Sequence, residues 1–190
     1  MAWLTDSQLT QMGFASFGSN VLLSDKASYY NCKNIRLGSN VRIDDFCVLS
    51  AGDGGINIGS YIHIAVYSSL IGAGNITLAD FSNISSRVAI YSSNDDYTGA
   101  AMTNPTVPTK FTNVNHANVK IGRHVIIGAG SVILPGVTLG EGVAVGALSL
   151  VKKDCLEFGI YMGLPTKRIG ERKRDLLDLE IQFMSLYQKQ

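Results

Sequence analysis

Charge is scarce in this chain. Only 16% of its 190 residues are Asp, Glu, Lys or Arg, against about 25% in an average soluble protein, so much of the surface is expected to be hidden in an oligomer. The 16 basic and 15 acidic side chains leave a net charge of +1. That balance lacks the dense basic face with which proteins release counterions from a duplex, so nucleic acid is not an expected partner. The three cysteines, Cys32, Cys47 and Cys155, form no C-x-x-C pair; this argues against a disulfide framework or a zinc site and leaves reduced, structural thiols and no expected metal. No apolar run approaches the ~20 residues that cross a bilayer, and Met1 to Asp6 lacks the basic start and apolar core of a signal peptide. Membrane insertion is therefore not expected, and a cytoplasmic location is. No stretch rich in Pro, Ser or charge divides the chain, which is read as one unit.

What the chain has is a repeat. From Ile121 an aliphatic residue returns every six positions, as Ile121, Ile127, Ile133, Leu139, Val145 and Val151, each with a compact residue two places earlier. The same beat runs upstream through Phe17, Leu23 and Tyr29, then Leu37, Ile43 and Leu49, then Ile58, Ile64 and Leu70, then Leu78, Ile84 and Ile90. Alternation at spacing two marks a strand with one buried face. Three short strands per turn, separated by Gly or small polar residues, describe a triangular parallel β-helix of six coils, with Gly read as a turn residue because it tolerates positive φ. Each coil leaves its backbone groups unpaired until a neighbour stacks on it, so both ends need covering. Thr5 to Met12 reads as a short helix capped by Thr5 or Asp6 and stopped by Gly13. Arg172 to Gln190 is helical by pattern, with Leu176, Leu179 and Phe183 on one stripe, a cap or a trimer strut. The organisation is thus a β-helix over residues 1–170 and a C-terminal helix over 171–190.

The beat breaks once. Between Leu78 and Ile121 the step is 43 residues instead of about 20, and it resumes in phase, so a loop at about 94–118 is extruded from a corner. A loop this long in an economical repeat protein is commonly functional. It holds Asp95, Asp96, Tyr97, Asn104, Pro105 and His116.

Two segments resemble a known family: Ile121 to Val132 (IGRHVIIGAGSV) and Gly159 to Lys167 (GIYMGLPTK) are similar to the coenzyme A region of the hexapeptide-repeat acyltransferases. The resemblance implies a left-handed coil, although crossover physics alone favours the right hand. It also implies acetyl-CoA as cosubstrate and a homotrimer with active sites between subunits, the loop of one reaching the coenzyme A groove of the next. Ser85-Ser86-Arg87-Val88, Ser92 to Gly99 and Met102-Thr103-Asn104-Pro105 look like the branch that acylates nucleotide-linked 4-amino-4,6-dideoxyglucose for surface polysaccharide.

Acyl transfer from a thioester needs a proton acceptor, a donor to the developing oxyanion and exclusion of water. Asp95 and Asp96 are adjacent carboxylates that repel one another unless a cation, such as a substrate ammonium, meets them; a plain turn is the competing reading. His116 is the loop's histidine and so a candidate base, as the resemblance implies. Ser85 or Ser86 could donate a hydrogen bond to sugar or water from the coil surface below the loop. Pantetheine is expected to lie against bare backbone at Ala129, Gly130 and Ala147, with Lys152, Lys153, Lys167 and Arg168 near its phosphates. His63 and His124 fall between beats and are expected at the surface or in a subunit contact.

N-acetylation of a nucleotide amino sugar is the leading reading, and O-acetylation of a sugar hydroxyl, as on galactosides, the first alternative. A hydroxyl needs a real base, whereas an amine needs orientation and a proton sink. A β-helical carbonic anhydrase would need a close histidine pair, which His63, His116 and His124 do not form in sequence. A non-catalytic trimeric scaffold is the remaining class, separable by coenzyme A binding.

Overall fold

The structure, a computed structural model, describes residues 2–187. It is a parallel β-helix of about seven turns with three faces. Face one stacks Ile35–Leu37, Ile56–Ile58, Ile76–Leu78, Val119–Ile121 and Thr138–Leu139. Face two stacks Leu22–Leu23, Val41–Ile43, Ile62–Ile64, Asn83–Ile84, Ile126–Ile127, Ala144–Val145 and Gly159–Gly163. Face three stacks Ser28–Tyr30, Val48–Ala51, Ser69–Gly72, Ala89–Tyr91, Val132–Ile133 and Leu150–Val151.

The beat residues stack in register, as in the column Ile43, Ile64, Ile84, Ile127, Val145 and Tyr161 on face two. All six of this column are buried, and each fully buried aliphatic side chain contributes about 1.5–3 kcal/mol. Two beats and the positions two before them depart from expectation at the N-terminal end. Phe17 is 37% exposed, Tyr29 half-buried, Ala15 exposed and Ala27 half-buried, because no turn lies beneath the first one. Leu9 of helix α1 (Asp6–Gln11) enters the core there instead, with Phe14 and Tyr29 packed against the same cluster. Thr5 caps α1 in a capping box with Gln8, and Gly13 follows at φ +70°.

The seventh turn was not legible as a repeat. Its inward residues are Cys155 and Tyr161, which pair with Leu139 and Val145; each comes 16 residues after its partner, two short of a coil of three six-residue beats.

The corners meet the expectation in part. The positive-φ positions between faces one and two are Asn20, Asn40, Tyr61, Phe81, His124 and Gly142, at φ 55–68°, so small residues share them with aromatic rings, and Gly130 and Gly136 take positive φ at the other two corners. Glycines after the beat serve a different need: a Cβ on Gly128 would lie 2.4 Å from the Ala147 nitrogen, and one on Gly122 2.8 Å from that of Glu141. They permit close stacking of coils, not the turn.

Helix α2 (Asp175–Tyr187) is shorter than the predicted span, whose last three residues lie outside those described. It does not cap the last coil. An antiparallel hairpin of Gly159–Gly163 with Thr166–Glu171 closes that end, and α2 runs back along the corner between faces one and two. There Tyr61, Phe81 and His124 form a ring ladder, at 4.9 and 5.0 Å between centroids, and Phe183 meets it edge-on. Glu180 accepts hydrogen bonds from Arg123 and His124.

Candidate functional site

The extruded loop leaves face three through Ser93–Asn94 and returns through Asn115–His116, and these two short strands pair antiparallel. The Ser92 carbonyl accepts the Ala117 N–H at 3.0 Å, closing the foot. The pairing sets Ser93 opposite His116, and Ser93 Oγ lies 2.7 Å from His116 Nδ1. Ser93 Oγ also accepts the Ala73 N–H at 2.7 Å. A neutral ring whose Nδ1 accepts from Ser93 carries its proton on Nε2 and can only donate there. The ring can act as a base through Nε2 only when Nδ1–H donates to Ser93.

The two aspartates are used differently. Asp96 accepts from the Thr98 N–H at 2.9 Å, the Thr98 hydroxyl at 2.7 Å and the Ala101 N–H at 2.9 Å. The Thr98 donors, backbone first, hold its carboxyl below the usual carboxylate range, and its two oxygens are engaged in shaping the loop. The half-buried Asp95 has no side-chain hydrogen bond among the described residues. It lines two adjoining clefts, one of about 510 Å³ with Ser93, Asn104 and Pro105, the other of about 370 Å³ with Tyr91, Tyr97 and Pro135. An acceptor with open lone pairs at the foot of a long loop can meet an ammonium or hydroxyl.

Ser85 lies elsewhere. It follows the face-two strand Asn83–Ile84, at the corner leading to face three, and its N–H bonds the Ile127 carbonyl at 3.0 Å. Ala129, Gly130 and Ala147 occupy the same corner on the next two turns, with Leu148 N–H bonded to the Ala129 carbonyl. Ala129 and Ala147 are exposed, so a ligand can approach bare backbone there. The strand Ala89–Tyr91 separates this corner from the loop foot, a span on the order of 15 Å.

The predicted phosphate-binding cations divide as well. Lys152 lines a cleft with Asn94, Tyr97 and Asn115 at the loop corner, with exposed Lys153 beside it. Lys167 and Arg168 lie exposed on the closing hairpin, where Arg168 pairs with Glu171 at 2.7 Å. The candidate residues of one chain thus fall at two corners: Ser85, Ala129, Gly130 and Ala147 at one, and Asp95, Asp96, His116 and Lys152 at another.

The remaining histidines are engaged. His63 Nε2 lies 2.8 Å from Asp44 Oδ2, while Arg42 holds Oδ1 at 2.7 Å. Burial pushes the Asp44 carboxyl up, but His63 and Arg42 outweigh it and the net direction is down. His124 departs from the expected surface position: its side chain is 10% exposed, covered by α2. The positive-φ aromatic corner that anchors α2 carried no signal in the six-residue beat, because these side chains point out of the coil.

Known proteins place this geometry. Residues 118–153 match the family model for bacterial transferase hexapeptide (six repeats). The dTDP-4-amino-4,6-dideoxy-D-glucose acyltransferase of Escherichia coli is 60% identical over 96% of this chain and 95% of its own length. A putative lipopolysaccharide biosynthesis O-acetyl transferase of Escherichia coli K12 is 28% identical over 83% and 87% of the two chains. Among solved structures, a serine variant of AntD, an N-acyltransferase from Bacillus cereus in complex with dTDP-4-amino-4,6-dideoxyglucose and coenzyme A, superposes with TM-score 0.92. It is 47% identical and covers 96% of this chain and 97% of that one. Other AntD structures replace an aspartate ten positions beyond that serine, or hold dTDP with 3-hydroxybutyryl-CoA. With a relative this similar along nearly its whole length, the chain belongs to the hexapeptide-repeat acyltransferases that use coenzyme A thioesters, in the branch of the dTDP-amino-sugar N-acyltransferases.

Proposed function

We propose that this protein transfers an acyl group from acyl-CoA to the 4-amino group of dTDP-4-amino-4,6-dideoxy-D-glucose. The observation that carries the reading is the 60% identity, over nearly the full length of both chains, to an acyltransferase of that name. In the reaction the unprotonated amine attacks the thioester carbonyl, the C–N bond forms, and the C–S bond breaks to release coenzyme A. The nitrogen loses one proton and the leaving thiolate gains one.

Asp95 is the residue we assign to the amine. Its open carboxylate attracts the ammonium and then accepts or relays the released proton. The AntD variants replace a serine and an aspartate ten positions apart, a spacing shared here by Ser85 with Asp95 and by Ser86 with Asp96. The geometry favours the first pair, because the Asp96 carboxylate is already held by Thr98 and Ala101. Ser85 then serves as a hydrogen-bond donor at the coenzyme A corner, beside backbone exposed at Ala129, Gly130 and Ala147. Lys152, Lys153, Lys167 and Arg168 are the cations we assign to its phosphates.

A homotrimer follows from the same reading. Ser85 and Asp95 sit at different corners of one chain and can serve one acyl transfer only if one copy's loop meets another's corner. We place the reaction in the cytoplasm, where acyl-CoA is held, ahead of glycosyl transfer into surface polysaccharide. The test is turnover of acetyl-CoA and longer acyl-CoAs against dTDP-4-amino-4,6-dideoxyglucose and its 4-hydroxy counterpart. Amide formation with the amine is expected. Ester formation with the hydroxyl sugar alone would move the assignment to an O-acyltransferase.

A further inference from the structure

At the corner between faces two and three, the positive-φ positions of three successive turns are filled by Phe46, Tyr67 and Arg87, at φ 61, 62 and 60°. The Phe46 and Tyr67 rings stack at 4.9 Å. The Arg87 guanidinium lies over Tyr67, 5.8 Å from its centroid, and the Lys26 ammonium 6.0 Å from that of Phe46. Phe46 is 47% and Tyr67 54% exposed, unusual for rings of this size stacked in a column. Lys26 is paired with Asp45 at 3.7 Å. Arg87 is exposed and has no carboxylate partner among the described residues.

Chain order gives this column its meaning. Arg87 closes the corner that Ser85 opens. On the next turn the corner is Gly128-Ala129-Gly130 and then Gly146-Ala147-Leu148, where Leu148 takes the positive-φ position at 54° and is 71% exposed, so no charged or aromatic side chain stands there. The corner is therefore cationic and aromatic on the N-terminal side of Ser85 and, on the other, uncharged, with Gly and Ala backbone exposed beside Leu148.

We propose that Arg87, held over Tyr67, binds the diphosphate of the nucleotide-linked substrate. The nucleotide then lies along the Phe46–Tyr67 side and acyl-CoA along the Gly128–Ala147 side, and the two meet at Ser85. This rests on the function proposed above. A guanidinium fork matches phosphate oxygens two at a time, and its cation–π contact with Tyr67 fixes its plane before the ligand arrives, lowering the ordering cost of binding. Both substrates contain a diphosphate. The uncharged side, with Gly128 to Gly130 and Gly146-Ala147 beside the apolar Leu148, suits pantetheine, which must approach backbone closely, and this leaves the cationic side for the sugar nucleotide.

The test is calorimetric titration of the wild-type protein, Arg87→Gln, Arg87→Lys and Tyr67→Leu with dTDP and, separately, with coenzyme A, with light scattering on each variant. Arg87→Gln should weaken dTDP binding by about 10- to 100-fold, the range for a lost charge-assisted hydrogen bond, with coenzyme A affinity unchanged. Arg87→Lys should restore part of the loss and Tyr67→Leu should cause a smaller one. Unaltered dTDP binding by Arg87→Gln overturns the proposal, as does loss of coenzyme A binding in its place. A change of assembly state without a change in dTDP affinity also overturns it, since the column would then be a subunit contact. A wild-type protein that binds coenzyme A but no dTDP sinks the proposed substrate and this inference together.

Discussion

The side chains that differ most in environment are the two adjacent aspartates. Asp96 is held by three donors of its own loop, and Asp95 by none among the described residues. Asp95→Asn should therefore lower kcat with the amino sugar by about 10²-fold or more, with coenzyme A affinity and Tm nearly unchanged. His116→Ala should cost less on an amine, because the amine needs a proton sink more than a strong base. Steady-state rates of both variants check the order, and a dead His116→Ala beside an unimpaired Asp95→Asn would contradict it. At the core, Ser82 Oγ is buried with no hydrogen-bond partner among the described residues. Ser82→Ala should then stabilise the fold by about 1 kcal/mol, since it removes an unpaired buried polar group; a lower Tm would show that the hydroxyl has a partner.

At the scale of elements, the coils were legible and their attachments were not. Leu37 to Val151 kept one beat because the same inward column must be filled on every turn. Ile127→Asp would place a charge in that column at a site that is 0% exposed, and it should abolish cooperative folding, seen as loss of the melting transition. The seventh turn was hidden because Cys155 and Tyr161 follow their partners by 16 residues and not 18, and the course of α2 because outward residues fix it: Tyr61, Phe81, His124 and Arg123. In the candidate site, the loop and Asp95 were visible as a break in the beat. The division into two corners was not, because it depends on which strands lie between. Helix α2 should also respond to acid. Burial raises the Glu180 carboxyl, but bonds from Arg123 and His124 outweigh it, so its net pKa is lowered. The stabilisation is present above the ordinary glutamate pKa of about 4.3 and is lost as pH falls through the lowered folded value. Hydrogen exchange in α2 should accelerate below about pH 4 before the coils open. Glu180→Gln should exchange faster in α2 at neutral pH and lose this acid dependence; an unchanged profile would mean that the helix is held by the Phe183 contacts alone.

The whole molecule is a stack whose three faces hold the proposed site residues at separate corners. Strand Ala89–Tyr91 stands between Ser85 and Asp95, so in this account no single chain completes a site. Exposed apolar residues on α2, among them Leu179 and Ile181 at 61% and 69%, leave surface for contact between copies. A trimer is expected by light scattering at micromolar concentration. The decisive measurement mixes Ser85→Ala and Asp95→Asn chains by coexpression and compares N-acylation rates with those of each variant alone. If sites form between copies, the mixture should recover about a quarter of the wild-type rate, since one interface in four then joins an intact Ser85 to an intact Asp95. A mixture no more active than its parents would contradict the account, because it would mean that both residues act within one chain.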